Sequence, residues 1–278
     1  MGVLNLTPDS FYDGGRFLDA DTAVARGLAL FEAGADVVDV GGESTRPSGA
    51  APVTAAEERS RVLPAIRELR RRGAGFLSVD TTKAEVARAA LDEGADLVND
   101  VSGLRFDPDM APLVAERGVP AVLMHLRGDF ATMHREPRYA DVAGEVAGEL
   151  REALSRAERA GVARAQVLLD PGIGFAKDAG HSLETLARLP ELSALDRPLV
   201  VGPSRKSFIG RVLDLPVEER LWGTAAAVAA CVLGGAHVVR VHDLPEMAQV
   251  VRVCDAILAA GAGPGAAAWV GAAAGGRA

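Results

Sequence analysis

Residues able to do chemistry cluster in this sequence directly behind short apolar runs. Asn5-Leu6-Thr7-Pro8-Asp9-Ser10-Phe11 follows the first run, and Asp39-Val40-Gly41-Gly42-Glu43-Ser44-Thr45-Arg46-Pro47 ends the second. Ser78-Val79-Asp80-Thr81-Thr82-Lys83, Asn99-Asp100-Val101-Ser102-Gly103 and Leu123-Met124-His125 come next. Asp170-Pro171-Gly172-Ile173-Gly174-Phe175, Gly202-Pro203-Ser204-Arg205-Lys206-Ser207 and Arg240-Val241-His242-Asp243 complete the series. Arg240 and His242 are two apart on an extended run, so both side chains can point the same way. The spacing offers no Ser-His-Asp or paired-carboxylate arrangement, which points to chemistry by placement and charge. Asp80 and Asp170 also read as helix N-caps after a strand, and His242 as a surface histidine.

Such residues need elements to hold them. The apolar runs are Val3–Leu6, Val37–Val40, Phe76–Val79, Leu97–Val98, Ala121–Met124, Val167–Leu169, Leu199–Val201 and Val238–Val241, all short and rich in β-branched residues. Between them Ala20–Gly34, Thr54–Arg72, Lys83–Gly94 and Asp141–Gly161 have helical periodicity. Alternating strand and helix predicts an α/β fold with a parallel sheet, and eight units predict a single (β/α)8 TIM barrel with a parallel eight-stranded core over residues 1–260. In a barrel the carboxyl ends of the strands form the active face, which gathers the polar clusters at one rim. Several helices end in Gly before the next strand, as at Gly34, Gly94 and Gly235, where a left-handed cap turns the chain. Leu126 to Arg138 is a long polar loop, and 261–278 is a Gly/Ala-rich tail expected to be poorly ordered.

Bulk properties narrow the possibilities. A chain of 278 residues with 49% hydrophobic content supports one large core. A net charge of −8 disfavours nucleic acid, so an anionic ligand must meet a local cationic pocket. Cys231 and Cys254 fall in Ala/Val-rich helical stretches, against a disulfide framework or cysteine metal site and for a reducing cytoplasm. No apolar stretch approaches membrane-spanning length, and no signal peptide opens the chain, so no membrane partner is expected.

Taken together and in order, the motifs resemble the dihydropteroate synthase family of pterin-binding barrels, from Met1 to about residue 258. The resemblance implies a transferase of folate biosynthesis that condenses 7,8-dihydropterin-6-ylmethyl diphosphate with p-aminobenzoate, releasing pyrophosphate, with Mg2+ as cofactor. It implies that Asp170 pairs with the guanidine-like edge of the pterin, that Asn99 matches its alternating donors and acceptors, and that Asp80 is a second pocket carboxylate. Lys206 would donate to the pterin carbonyl and ring nitrogen, Met124 and Phe175 would pack near the ring, and Gly202 would line the pocket. By the same resemblance Arg240, His242 and Asn5 contact the diphosphate, Asn5 also helps to hold the metal, and Phe11, Thr45, Arg46, Pro47, Phe175 and Ser207 surround p-aminobenzoate. The implied catalytic set is Lys206, Asp80, Arg46, Arg240 and His242. Loops from Thr7 to Phe17 and from Gly41 to Pro52 would close over the site. A homodimer through late helices, Thr224–Gly235 with Met247–Ala260, is likewise inherited. Sulfonamides mimic p-aminobenzoate, but tolerance to them is not written in residue types.

Pro203 and Ala176 depart from the commoner family pattern, Ala176 standing where glycine often follows Phe175, and neither removes a functional group. The sequence starts almost at its first strand, without the lead segment often found; a misplaced start or a trimmed chain is the expected reason. Pterin-binding methyltransferase domains share the pocket's Asp and Asn, but have no reason to keep Thr45-Arg46-Pro47 together with Ser204-Arg205-Lys206-Ser207. A non-catalytic paralogue has no reason to keep Arg46, Lys206, Arg240 and His242.

Overall fold

The computed structural model describes residues 1–7, 20–44, 53–133 and 138–261. Strands and helices alternate: β1 (Gly2–Asn5), α1 (Ala20–Glu32), β2 (Val37–Gly41), α2 (Ala55–Arg71), β3 (Phe76–Asp80), α3 (Ala84–Asp92), β4 (Leu97–Asp100), α4 (Met110–Arg117), β5 (Ala121–Met124), α5 (Val142–Arg159), β6 (Val167–Asp170), α6 (Ala179–Ala187), β7 (Val200–Val201), α7 (Ser207–Leu213), α8 (Leu221–Leu233), β8 (Val238–Val239) and α9 (Leu244–Gly261). All strand pairs are parallel. β1 to β6 form one six-stranded sheet in chain order, and β7 pairs with β8 in a second sheet. The expected alternation is present, whereas the ladder is not one continuous run of eight strands. β7 has only two paired residues because Leu199, expected to open it, bridges Leu169 of β6 instead. Isolated parallel bridges, Leu169 with Leu199 and Gly2 with Val241, run between the two sheets.

The pleat sorts the side chains. Val38, Val40, Leu77, Val79, Val98, Leu123, Leu169 and Val201 pack with Val24, Ile66, Val86 and Val146 of the helices in the main core. Each such fully buried aliphatic side chain stabilises the fold by roughly 1.5–3 kcal/mol. Met1, Leu97, Val122 and Val200, with Val37, Leu168 and Val238, form a separate cluster on the opposite face of the strands. Two residues beyond Val37, Leu97, Val122, Leu168, Val200 and Val238 come Asp39, Asn99, Met124, Asp170, Gly202 and Arg240. A period of two puts these residues on the face of that cluster, toward the carboxyl ends.

Helix starts decide between the alternative readings of two carboxylates. At α3 the Ala84 N–H donates to Asp107 Oδ2 (2.7 Å) and the Lys83 N–H to Thr81 Oγ1 (3.2 Å), so Asp80 is not the cap. The helix after β6 is capped by Asp178, which accepts from the His181 N–H (2.8 Å), leaving Asp170 for other work. Gly34 and Gly94 turn the chain out of α1 and α3 at φ of 103° and 104°, as their left-handed role requires. Cys231 and Cys254 are buried and free. No helix of the described residues is long and apolar enough to cross a membrane.

Candidate active site

Parallel register brings the first group of polar residues side by side. Asn5 stands opposite Gly41, Gly41 opposite Asp80, and Asp80 opposite Asn99. Arg240 reaches this group from just beyond β8: its Nε donates to Asp39 Oδ2 (2.6 Å) and its Nη2 to Asp80 Oδ2 (2.7 Å). Asn99 Nδ2 donates to the same Asp39 oxygen at 3.0 Å. Asp39 is fully buried, and its Oδ1 has no hydrogen-bond partner among the described residues. Burial raises the pKa of Asp80 above the usual carboxylate range, Arg240 opposes this, and Asp39 and Glu58 add to the rise. One guanidinium therefore organises two carboxylates and, through Asp39, an amide.

The second group gathers around Asp170, which Met124 faces in register. Asp170 Oδ1 accepts the Gly172 N–H at 2.7 Å. Burial raises its pKa, while that hydrogen bond and the charges of Lys206, Arg240 and Lys177 pull it down. Cations from three segments thus act on one buried carboxyl, and the two groups of residues share one site. Lys206 Nζ lies 4.0 Å from the centroid of the Phe175 ring, within cation–π range. Gly174 leaves room for that lysine, since a Cβ there would stand 3.2 Å from Lys206 Cδ. Met124, Val101, Leu126, Met133 and Ala176, with Phe130 and Phe175, form an apolar wall. Gly202 lies alongside Arg240, its notional Cβ 3.8 Å from Arg240 Cβ.

His242 sits at the exposed rim, its Nδ1 3.0 Å from Ser204 Oγ. Ser207 opens α7 and is exposed. Arg205, between them in sequence, makes a two-point pair with Asp243 (2.8 and 2.6 Å) that ties the loop after β7 to the loop after β8. Phe11, Thr45, Arg46 and Pro47 lie outside the described residues. Asn5 Oδ1 and Asp80 Oδ2 each stand 3.6 Å from where a Cβ on Gly41 would be, so two oxygens flank a gap kept open by glycine. Hard oxygen donors suit Mg2+, which keeps waters and leans on substrate phosphates. Among the described residues no group of three or more His, Cys, Asp or Glu could hold a metal ion alone.

Sequence reasoning assigned no role to Asp39, His125 or Lys177. Asp39 had a signal, a carboxylate inside the run Val37-Val38-Asp39-Val40, where only a paired charge is tolerated. His125 and Lys177 are both buried, 2.8 Å apart through Nδ1 and Nζ. Their juxtaposition, across a separation of 52 residues, has no local sequence signature.

A family model described as pterin binding enzyme matches residues 1–242. The dihydropteroate synthase of Synechocystis sp. is 48% identical over 258 residues, covering 92% of this chain and 89% of that protein. The chain belongs to the dihydropteroate synthase family. Among solved structures of the family, the Xanthomonas albilineans dihydropteroate synthase with 4-aminobenzoic acid is similar with a TM-score of 0.87 at 44% identity, covering 93% of this chain and 92% of that one. The enzyme from the same organism in complex with 7,8-dihydropteroate is similar with a TM-score of 0.84 at 41% identity, covering 93% and 92%. The dihydropteroate synthase likeness thus spans both groups of site residues.

Proposed function

We propose that this member of the dihydropteroate synthase family joins 7,8-dihydropterin-6-ylmethyl diphosphate to p-aminobenzoate, giving 7,8-dihydropteroate and pyrophosphate. The observation that carries the reading is Asp170, a buried carboxyl within the field of Lys206 and Arg240. A carboxylate pairs with the guanidine-like edge of a reduced pterin through two parallel hydrogen bonds. Lys206 donates to the pterin carbonyl and ring nitrogen, Asn99 and Asp80 meet the remaining polar edge, and Met124, Phe175 and Gly202 enclose the ring. Arg240 and His242 receive the diphosphate. Arg240 is already aimed by Asp39 and Asp80, so little reorganisation accompanies the build-up of negative charge.

The bond between the pterin methylene carbon and the diphosphate oxygen breaks first, and the electron-rich ring spreads the positive charge. The neutral arylamine nitrogen then attacks the methylene and releases one proton, so no general base is needed beforehand. Asn5 would hold Mg2+, which when bound neutralises the diphosphate and assists its departure. Phe11, Thr45, Arg46, Pro47 and Ser207, with Phe175, hold p-aminobenzoate and exclude the water that would intercept the cation.

The two sheets are read as one closed eight-stranded barrel. Supporting this are the bridges Leu169 to Leu199 and Gly2 to Val241, and the apolar cluster shared by strands of both sheets. A cytoplasmic homodimer is the assembly we favour, supported by exposed Trp222 of α8 and Val253, Ile257 and Leu258 of α9. The decisive assay is pyrophosphate release with Mg2+ and each substrate alone or together. Release strongly accelerated by p-aminobenzoate supports the reading, and release as fast without p-aminobenzoate as with it refutes it. Arg46→Ala is expected to impair coupling far more than pterin binding; equal loss of both would refute that division.

A further inference from the structure

Lys177 has no part in the roles above. It follows Phe175 and Ala176 on the segment after β6, and only 4% of it is exposed. Its Nζ lies 2.8 Å from His125 Nδ1 and 3.3 Å from both the Gly172 and Phe175 carbonyl oxygens. An ammonium has three protons and no lone pair, so these acceptors use its whole capacity. The same logic assigns the histidine tautomer. Because the Glu149 carboxylate can only accept, the ring proton is on His125 Nε2, 3.0 Å from Glu149 Oε2, and Nδ1 accepts from Lys177. Arg127 Nε donates to Glu149 at 2.8 Å and its guanidinium lies 4.0 Å over the Tyr139 ring. The Tyr139 hydroxyl donates to the Ala176 carbonyl at 2.9 Å, so the chain of contacts returns to the segment where it began.

That segment is bent in a way that needs holding. Gly172, Gly174 and Ala176 have φ of 68°, 76° and 47°, all left-handed. For Ala176 this conformation is unfavourable by itself. Gly172 is pressed against β5 so closely that a Cβ would meet the His125 carbonyl oxygen at 2.1 Å.

We propose that Lys177 is a positioning residue for the pterin end of the site. Tied to β5 through His125, it fixes the carbonyls of Gly172 and Phe175, and with them the Asp170 carboxylate that takes the Gly172 N–H and the Phe175 ring beneath Lys206. The inference rests on the reading of Asp170, Phe175 and Lys206 as pterin contacts. Burial pulls the ammonium down to about 7, against the opposing charges of Asp170 and Glu149. A methionine would fill the same space without that cost, so the cation is kept for what it donates.

The test compares Lys177→Met, His125→Asn and His125→Leu with the wild-type chain. Binding of 6-hydroxymethyl-7,8-dihydropterin is followed by fluorescence, both KM values by pyrophosphate release, and folding by circular dichroism. Lys177→Met is expected to weaken pterin binding about tenfold or more, the scale of a lost charge-assisted hydrogen bond, and to raise the KM of the pterin diphosphate. The KM for p-aminobenzoate rises less, since of the residues that hold it Lys177 positions only Phe175. His125→Asn keeps an acceptor for Lys177 and retains pterin binding, whereas His125→Leu loses it. If Lys177→Met does not fold, the two histidine variants decide. Unchanged pterin affinity in folded Lys177→Met, equal rises in both KM values, or His125→Asn as damaging as His125→Leu would overturn the proposal. A wild-type chain that binds no pterin would instead sink the functional reading beneath it.

Discussion

Arg240 and Asp39 are 201 residues apart in the chain, yet Arg240 Nε and Asp39 Oδ2 are 2.6 Å apart in space. The same guanidinium reaches Asp80. Removing it strands the buried Asp39 carboxylate and the partly buried Asp80, and Arg240→Met is expected to destabilise the fold by about 3–5 kcal/mol. Arg240→Lys keeps the charge but not the two-point fork, and should recover only part of that loss. Urea unfolding of the three proteins measures both effects. A methionine variant as stable as wild type would mean that the cation serves ligand alone.

His125 should make stability depend on pH. Burial holds it at about 4, against the hydrogen bond that it donates to Glu149 and aided by the charge of Lys177. An unfolded histidine titrates near 6.5, so between those values the unfolded chain binds a proton that the folded chain does not. Its contribution is complete above pH 6.5 and is lost on acidification toward pH 4, by about 3 kcal/mol in the limit. Asp100, raised by burial to about 6, works in the opposite sense, its contribution falling as pH rises. The difference between wild type and His125→Asn isolates the histidine. Parallel stability curves for the two over this window would show that His125 does not titrate as described.

Ala176→Gly sets three effects against one another. Leaving the left-handed region at φ 47° without a Cβ relieves about 1–2 kcal/mol. Against this, glycine costs about 0.4–1 kcal/mol through unfolded-state entropy. The lost methyl, buried in the apolar wall, costs about 0.8 kcal/mol more. The sum is near zero, so thermal unfolding should move by only a few degrees. A large drop would mean that packing dominates at this position.

Asn5→Ala removes one of the two oxygens beside Gly41. If that oxygen helps to hold Mg2+, the Mg2+ concentration for half-maximal pyrophosphate release rises, while binding of a pterin that lacks the diphosphate is unchanged. An unaltered Mg2+ dependence would remove Asn5 from the metal's surroundings.

Much of the fold is written locally. Short β-branched runs alternating with amphipathic stretches specify strands and helices, and Thr54 and Asp141 cap α2 and α5 where the periodicity begins. The expected run Leu199–Val201 is divided, Leu199 bridging Leu169 while Val200 and Val201 pair with β8, a division that apolar content does not reveal. Asp80 read equally well as a helix cap until Asp107, distant in sequence, took that place.

Residue order thus settles which side chains stand at the strand ends and, through the two-residue pleat, that Asp39, Asn99, Asp170 and Arg240 share a face. These are matters of dihedral preference and apolar periodicity, which act over a few neighbours. Only three-dimensional packing chose the partners. Arg240 with Asp39 and Asp80, and Lys177 with His125, are contacts between strands and loops distant in the chain. Their formation depends on desolvation, since a buried charge must find whichever counter-group or acceptor the fold brings within reach.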